Sequence, residues 1–144
     1  MPAPSESRPG RVWFVGAGPG AWDLLTIRAA DCLRMADVVV HDALVPPWLR
    51  DAIAPGAELV PVEREAAAGR DPGLETGRLL VQLAASGRTV VRLKGGDPTV
   101  FARLAEEIQP LRDAGLAYEL VPGVTAALAA AAPAGAARTT RTHA

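Results

Sequence analysis

Short apolar runs alternate along this sequence with longer segments in which apolar residues recur every three or four positions. The apolar runs predict strands at residues 12–15, 38–40, 59–62, 89–93 and 118–121. Helical spacing is clearest between residues 25 and 36, where one face carries Leu25, Ala29, Cys32, Leu33 and Ala36. The run at 38–40 is apolar throughout, which is typical of a parallel sheet covered on both sides. We therefore predict an α/β fold with helices on both faces of a mostly parallel five-stranded sheet.

Loops at the ends of four predicted strands carry the candidate chemistry. Three of these loops contain glycine, at residues 16–20, 95–98 and 122–126, and Asp42 ends a fourth strand. Because the carboxyl ends of parallel strands lie at one edge of a sheet, we expect a ligand site where these loops meet. The site would offer backbone groups and one or two carboxylates but hardly any fixed positive charge, which suits a phosphate group poorly.

The loop at 95–98 begins with two adjacent glycines. Asp97 stands where a helix N-cap belongs, and Pro98 would begin a helix that runs from Thr99 to a stop at Gly115. A tight strand-to-helix turn explains Asp97, Pro98 and one glycine. The second glycine favours a ligand that approaches bare backbone.

Composition and charge exclude several classes of protein. The 144 residues suit one domain, which we place at 11–135, between a flexible N-terminal tail at 1–10 and a C-terminal tail at 136–144. A net charge of −1 gives no electrostatic footprint for nucleic acid or an anionic membrane, and no apolar run is long enough to span a bilayer. We expect a cytoplasmic protein that binds no metal, no nucleic acid and no membrane.

Cysteine and lysine each occur once in the sequence. Cys32 falls on the apolar face of a predicted helix, so we expect a buried and unreactive thiol. Lys94 is the only lysine beside 14 arginines, and we expect its long side chain to reach water from the end of a strand.

The first glycine loop also fits a dinucleotide-binding pattern. Residues 16–21 read Gly-Ala-Gly-Pro-Gly-Ala, and Asp37 or Asp42 lies roughly where the acid that binds the ribose would follow. Pro19 removes one backbone amide from the turn that would cradle a pyrophosphate. A nicotinamide-binding oxidoreductase domain therefore stays an alternative.

Four segments of the chain resemble the tetrapyrrole (corrin/porphyrin) methylase family. They are residues 15–20, 36–45, 90–98 and 121–127, and the similarity extends over about 11–135. Within the family the chain is most similar to the N-terminal half of uroporphyrinogen-III C-methyltransferases. The resemblance implies methyl transfer from S-adenosyl-L-methionine to uroporphyrinogen III, which gives precorrin-2 for sirohaem and cobalamin biosynthesis.

The resemblance also assigns roles to individual residues. Asp42 falls on the proton acceptor, Arg103 on an arginine that binds substrate, and Arg64 on a proton-donor lysine. Because arginine keeps its proton, Arg64 as a donor is in doubt, and binding of a substrate carboxylate is its alternative role. Asp42 could instead be a turn or capping residue. The S-adenosylmethionine contacts fall on Pro19, Gly95, Gly96, Asp97, Val100, Thr125 and Ala126.

The sequence departs from the family in one of its motifs and, we expect, in its length. Only Pro72 remains of a proline, glutamine and asparagine motif, with Gly73 and Gly77 at the other positions. His143, near the end, has no neighbouring ligand residue and we expect it to be solvated. We expect the second domain that the resemblance implies to be absent.

We therefore expect this chain alone to bind S-adenosylmethionine weakly and to turn over slowly or not at all. A non-catalytic S-adenosylmethionine-binding fragment is the alternative. The expected partners are a small-molecule tetrapyrrole and either a second copy, in a homodimer, or a partner that supplies the second domain. Leu24 and Leu25 are candidates for such a contact.

Overall fold

The sheet of this protein is parallel throughout and has five strands. The computed structural model describes residues 10–42, 45–62 and 69–142. Their strand order is β3-β2-β4-β1-β5, and every neighbouring pair is parallel. The strands are β1 (Arg11–Gly16), β2 (Val38–His41), β3 (Glu58–Pro61), β4 (Thr89–Lys94) and β5 (Tyr118–Val121). The predicted α/β sheet is confirmed.

Within the described residues, four α-helices lie between successive strands and a fifth follows β5. They are α1 (Ile27–Arg34), α2 (Pro47–Arg50), α3 (Pro72–Ala85), α4 (Leu104–Asp113) and α5 (Ala126–Ala131), and a 3₁₀ turn at Trp22–Leu24 precedes α1. Side-chain oxygens begin two of the helices, since Thr26 accepts from the amide of Ala29 and Asp71 accepts from the amide of Gly73. No helix in the described ranges has the length and apolar composition to cross a membrane.

Alternate residues of the strands fill two separate cores. Trp13 and Val15 of β1 belong to the core under α1 and α2, whereas Val12 and Phe14 belong to the core under α3 and α4. Cys32 lies in the first core with 4% of its surface exposed, and burial raises the pKa of its thiol. The prediction of a buried cysteine is confirmed.

Helices α3 and α4 approach each other closely at two glycines. A β-carbon on Gly77 would lie 2.5 Å from the backbone oxygen of Glu107, and one on Gly73 would lie 2.7 Å from the β-carbon of Glu106. Side chains at these two positions would push the helices apart. The glycines that replace the family motif therefore seat α4 and, with it, the carboxylate of Glu107.

The start of α4 differs from the prediction. We expected a helix from Thr99 with Asp97 as its N-cap, but α4 begins at Leu104. Phe101 and Arg103 have φ angles of 49° and 50°, and this left-handed conformation is incompatible with a continuing α-helix. The predicted stop at Gly115 is confirmed by its φ of 65°. The tail at 1–9, Arg64 and His143 lie outside the described residues.

Candidate functional site

The three glycine loops meet at the carboxyl edge of the sheet. Gly18 and Gly96 exchange two backbone hydrogen bonds, at 3.1 and 2.8 Å. The amide of Gly123 donates to the Asp97 carboxylate at 3.0 Å, which ties the loop after β5 to the loop after β4. The predicted convergence of the loops is confirmed. We call this assembly the loop cluster; it comprises residues 16–20, 95–98 and 122–126.

Most glycines in the loop cluster have a structural reason. A β-carbon on Gly123 would lie 2.2 Å from the backbone oxygen of Gly96, and one on Gly16 would lie 2.5 Å from the same oxygen. Gly96 has a φ of 64°, which side chains rarely adopt. Gly95 has neither constraint, since a β-carbon at that position would meet nothing within 4 Å. Gly95 is therefore the glycine that the fold leaves unexplained.

Asp97 links the loops instead of capping a helix. One carboxylate oxygen accepts from both the amide and the hydroxyl of Thr99, at 2.8 and 2.5 Å, and the other accepts from Gly123. Partial burial disfavours the charged form, but these hydrogen bonds outweigh it, so the pKa of Asp97 lies below its usual value. Asp97 is thus ionised and held in place at neutral pH.

Two cavities open beside the loop cluster. A charged cavity of about 290 Å³ is lined by Asp42, Pro72, Gly73, Thr76, Arg92, Lys94, Gly95, Val100, Phe101, Ala102, Arg103 and Glu107. A more apolar cavity of about 250 Å³ is lined by Ala17, Gly18, Pro19, Gly20, His41, Asp42, Val45, Pro46, Trp48, Leu49, Leu93, Lys94 and Gly95. Asp42, Lys94 and Gly95 line both. These three residues therefore mark the junction of the cavities.

A buried cluster of two cations and two carboxylates forms the floor of the charged cavity. Arg92 donates to both oxygens of Glu107, at 2.7 and 2.8 Å, and also to Asp42. Lys94 donates to Glu107 at 2.6 Å. We call these four residues the charge cluster. Its charges balance, so the site holds fixed positive groups without a positive excess.

Two predictions about charge at this site were wrong. We expected Lys94 to reach water, but only 4% of its surface is exposed. Burial and the neighbouring Arg92 lower the pKa of Lys94, and Glu107 partly offsets them. We also expected hardly any fixed positive charge, whereas Arg92 is only 2% exposed and remains charged. Burial alone would lower the pKa of Arg92, but the bonds to Glu107 and Asp42 raise it.

Arg92 and Glu107 are the site residues that sequence reasoning missed. Alternation along β4 places Arg92 and Lys94 on the same face as Val90, which is fully buried. Two basic residues on a buried face require an acidic partner, because an unpaired charge is very costly there. That requirement was the available signal, and Glu107 on α4 meets it.

The structure brings together most of the predicted site residues. Pro19 and Gly95 line the apolar cavity, and Val100 and Arg103 line the charged cavity. Thr125 and Ala126 lie about 3.7 Å from the position that a β-carbon on Gly96 would take in the loop cluster. Arg103 donates to Asp71 at 3.1 Å and to Glu106 at 3.5 Å. Arg64 lies outside the described residues, and its role stays a prediction.

The geometry disfavours the dinucleotide pattern of residues 16–21. The amides of Ala17 and Gly18 donate to the backbone oxygens of Lys94 and Gly96, so neither points at a pyrophosphate. Asp37 lies before β2, at the opposite end of the sheet, and its carboxylate accepts from the amide of Thr89 at 2.7 Å. The prediction that Asp37 could bind the ribose of a dinucleotide was wrong. The part of the chain that the structure describes holds no group of three or more His, Cys, Asp or Glu suited to a metal.

Comparison with known proteins agrees with this architecture. Siroheme synthase 1 of Klebsiella pneumoniae subsp. pneumoniae is 47% identical over 139 residues, which cover 96% of this chain and 30% of that protein. The solved structure of uroporphyrin-III-C-methyltransferase from Thermus thermophilus superposes with a TM-score of 0.77 at 43% identity, covering 92% of this chain and 56% of that one. A structure of the Thermus enzyme complexed with S-adenosyl homocysteine gives a TM-score of 0.73 at 44% identity, with coverages of 92% and 51%.

The chain thus spans about 30% of the length of this curated relative and about half of the solved enzymes. The family model for tetrapyrrole (corrin/porphyrin) methylases matches residues 11–144, which is nearly the whole sequence. This match shows that the chain belongs to the tetrapyrrole methylase family, and the parallel sheet and the joined glycine loops agree with it.

Proposed function

We propose that this chain takes part in the S-adenosylmethionine-dependent C-methylation of uroporphyrinogen III to precorrin-2, in sirohaem and cobalamin biosynthesis. One observation carries the proposal: Asp42 lines both cavities together with Gly95, which belongs to the loop cluster. A methyl donor bound on the loops and a tetrapyrrole bound in the cavities would then contact each other beside the carboxylate of Asp42. The names of the relatives support the choice of reaction.

The loop cluster provides the donor site in this proposal. The donor contacts are Pro19, Gly95, Gly96, Asp97, Val100, Thr125 and Ala126. S-adenosylmethionine carries no phosphate and supplies an electrophilic methyl group on a sulfonium. Backbone groups and one carboxylate suit its ribose and amino-acid ends better than a basic site would. The open position at Gly95 and the ionised state of Asp97 fit this ligand.

The two cavities receive the tetrapyrrole. Uroporphyrinogen combines an apolar ring system with carboxylate side chains, and the cavities pair an apolar wall that includes Trp48 with a rim that carries Arg103. Arg103 binds a substrate carboxylate, exchanging its exposed contacts with Asp71 and Glu106 for the ligand. Arg64 would add a second such contact in place of the family's lysine.

Asp42 acts as the proton acceptor. A pyrrole carbon that takes up a methyl group leaves a positive charge in its ring, and a proton must then be lost. A carboxylate at the junction of the cavities stabilises that charge and accepts the proton. The side chain of Asp42 is 11% exposed, so little water competes with it.

Calorimetric titration of the chain with S-adenosylhomocysteine and with NAD, side by side, tests the donor site. We expect saturable binding of S-adenosylhomocysteine only. Transfer of labelled methyl groups to enzymatically prepared uroporphyrinogen III then separates turnover from binding. Binding without any transfer would favour a non-catalytic S-adenosylmethionine-binding role, and preferential NAD binding would contradict the proposal.

We also propose that the chain works together with further protein, either a second copy or a partner that supplies the rest of the relatives' length. Trp22 and Ile27 are 73% and 84% exposed, and Leu24 is 37% exposed. Leu25 packs against the core and does not contribute. Light scattering over a range of concentrations measures self-association. A monomer at all concentrations would exclude the second copy and favour a partner of different sequence.

A further inference from the structure

The guanidinium of Arg92 donates hydrogen bonds to two carboxylates and one backbone oxygen, which is more partners than a single ion pair has. Its Nε and one terminal nitrogen donate to the two oxygens of Glu107, and the other terminal nitrogen donates to the backbone oxygen of Leu93 at 3.2 Å. The terminal nitrogen that contacts Glu107 also donates to Asp42. The guanidinium is therefore fixed on several sides, and one of its nitrogens bridges the two carboxylates.

The contacts within the charge cluster are unequal. Glu107 accepts from both Arg92 and Lys94, whereas Asp42 forms its ion pair with Arg92. The side chains of Arg92 and Glu107 are 2% and 5% exposed, and that of Asp42 is 11% exposed. Asp42 is thus the member nearest to solvent, and it lines both cavities.

A cluster of this kind is not explained by stability alone. Removing two cations and two carboxylates from water costs more than packing apolar side chains of similar size, and Val90 on the same face of β4 shows that apolar residues fit there. A planar guanidinium held by a bidentate partner is well suited to fix the position of a third group.

We infer that Arg92 is a positioning residue for the proton acceptor: Glu107 holds the guanidinium, and the guanidinium keeps Asp42 ionised and oriented at the junction of the two cavities. This inference rests on the proposed function, since it concerns how Asp42 works. Lys94 assists by donating to Oε1 of Glu107, the oxygen that one terminal nitrogen of Arg92 also contacts. No proton moves through Arg92, because a guanidinium keeps its protons at any pH at which the protein is folded.

A merely structural role for Arg92 makes a different prediction. If Arg92 only joined α4 to β4, its replacement would lower stability without changing the proton affinity of Asp42. If it keeps Asp42 ionised, loss of the positive charge makes the carboxylate easier to protonate. Arg92→Gln removes the charge, and Arg92→Lys keeps it with a different shape. Arg78→Lys, in an exposed pair with Glu75 on α3, is the matched control.

The experiment follows the Asp42 carboxyl carbon by NMR across a pH titration, together with the pH dependence of methyl transfer. We expect Arg92→Gln to move the Asp42 titration and the acid limb of the rate profile up by about one pH unit or more. Arg92→Lys should leave the acid limb close to that of the parent chain while lowering kcat at unchanged KM. Arg78→Lys should change none of these quantities.

The carboxyl titration decides the inference even where the chain shows no turnover. An unmoved Asp42 titration in Arg92→Gln overturns the positioning role, whatever the activity. Failure of the parent chain to bind S-adenosylhomocysteine contradicts the proposed function instead. Should Arg92→Gln not fold, Arg92→Met, an uncharged side chain of similar length, replaces it with the same Asp42 carboxyl titration as its readout: an upward shift supports the inference, and an unmoved titration overturns it.

Discussion

Gly16 and Gly123 approach each other so closely that neither position accommodates a side chain. A β-carbon on Gly16 would lie 2.7 Å from the amide nitrogen of Gly123, and one on Gly123 would lie 2.9 Å from the α-carbon of Gly16. Both positions also face the backbone oxygen of Gly96. The ends of β1 and β5 are thereby packed, backbone to backbone, against the loop after β4. The loop cluster is a consequence of this packing.

Gly123→Ala should destabilise the protein. Its methyl group would meet only backbone atoms, which cannot rotate away, so we expect a loss of about 1–3 kcal/mol in the free energy of unfolding. Urea denaturation measures the loss. Gly95→Ala is the matched control, because its methyl group meets nothing within 4 Å. Equal stabilities for the two variants would contradict the close packing.

The same control variant tests the donor site. Gly95 belongs to the loop cluster, which we assign to the donor, and a methyl group there projects into open space beside these loops. We expect Gly95→Ala to keep its stability and to bind S-adenosylhomocysteine at least tenfold more weakly, a cost of about 1.4 kcal/mol. Calorimetric titration provides the comparison. Unchanged affinity in a stable variant would place the donor elsewhere.

The fold was predictable from the sequence because its signals are local. Unbroken apolar runs at 38–40 and glycine-rich loops after strands specify a parallel sheet with its loops at one edge. The start of α4 was not predictable, because the left-handed residues Phe101 and Arg103 are not of the types that favour that conformation. The surrounding structure determines their backbone, and Asp97 is consequently a link between loops.

Asp42→Asn should slow methyl transfer strongly without preventing donor binding. An amide cannot accept the proton or balance the charge on the ring, and loss of an acid or base group typically lowers the rate by roughly 10²–10⁴-fold. Labelled methyl transfer measures kcat, and titration with S-adenosylhomocysteine measures binding. Asp31→Asn, on the exposed surface of α1, serves as the control and should match the parent chain. Full activity in Asp42→Asn would remove Asp42 from the reaction.

The charge cluster shows why the site was only partly predictable. The burial of Lys94 and Arg92 depends on a tertiary partner, Glu107, which is 13 and 15 residues away on another element. Sequence periodicity reports which face a residue occupies, and it does not report which helix covers that face. The pairing depends on the close approach of α3 and α4 at Gly77.

Asp97 should make stability depend on pH in the acid range. Its pKa in the folded protein is below its usual value, so it contributes stability above about pH 4, and that contribution is lost as the pH falls through the lowered pKa. We expect Asp97→Asn to cost about 1 kcal/mol at pH 7. The difference from the parent chain should shrink below about pH 4. Urea denaturation at pH 7 and pH 3 measures both; a constant difference would contradict the hydrogen-bonding scheme.

The reaction rate of the Cys32 thiol measures how often the fold opens, and it needs no engineered label. It is the single cysteine of the chain, it is 4% exposed, and burial raises the pKa of its thiol. We expect only slow reaction with a disulfide reagent in the native protein at pH 8, and rapid reaction of one equivalent after unfolding in urea.

Ligand binding should slow this reaction further, because the reagent reaches Cys32 only when the core between α1 and the sheet opens. A ligand that binds the folded state alone, at 100 times its Kd, reduces the open fraction about 100-fold. We therefore expect S-adenosylhomocysteine to slow labelling by about this factor and NAD to leave it unchanged. Rapid labelling of the native chain, at the rate seen in urea, would contradict the position of Cys32 in the core.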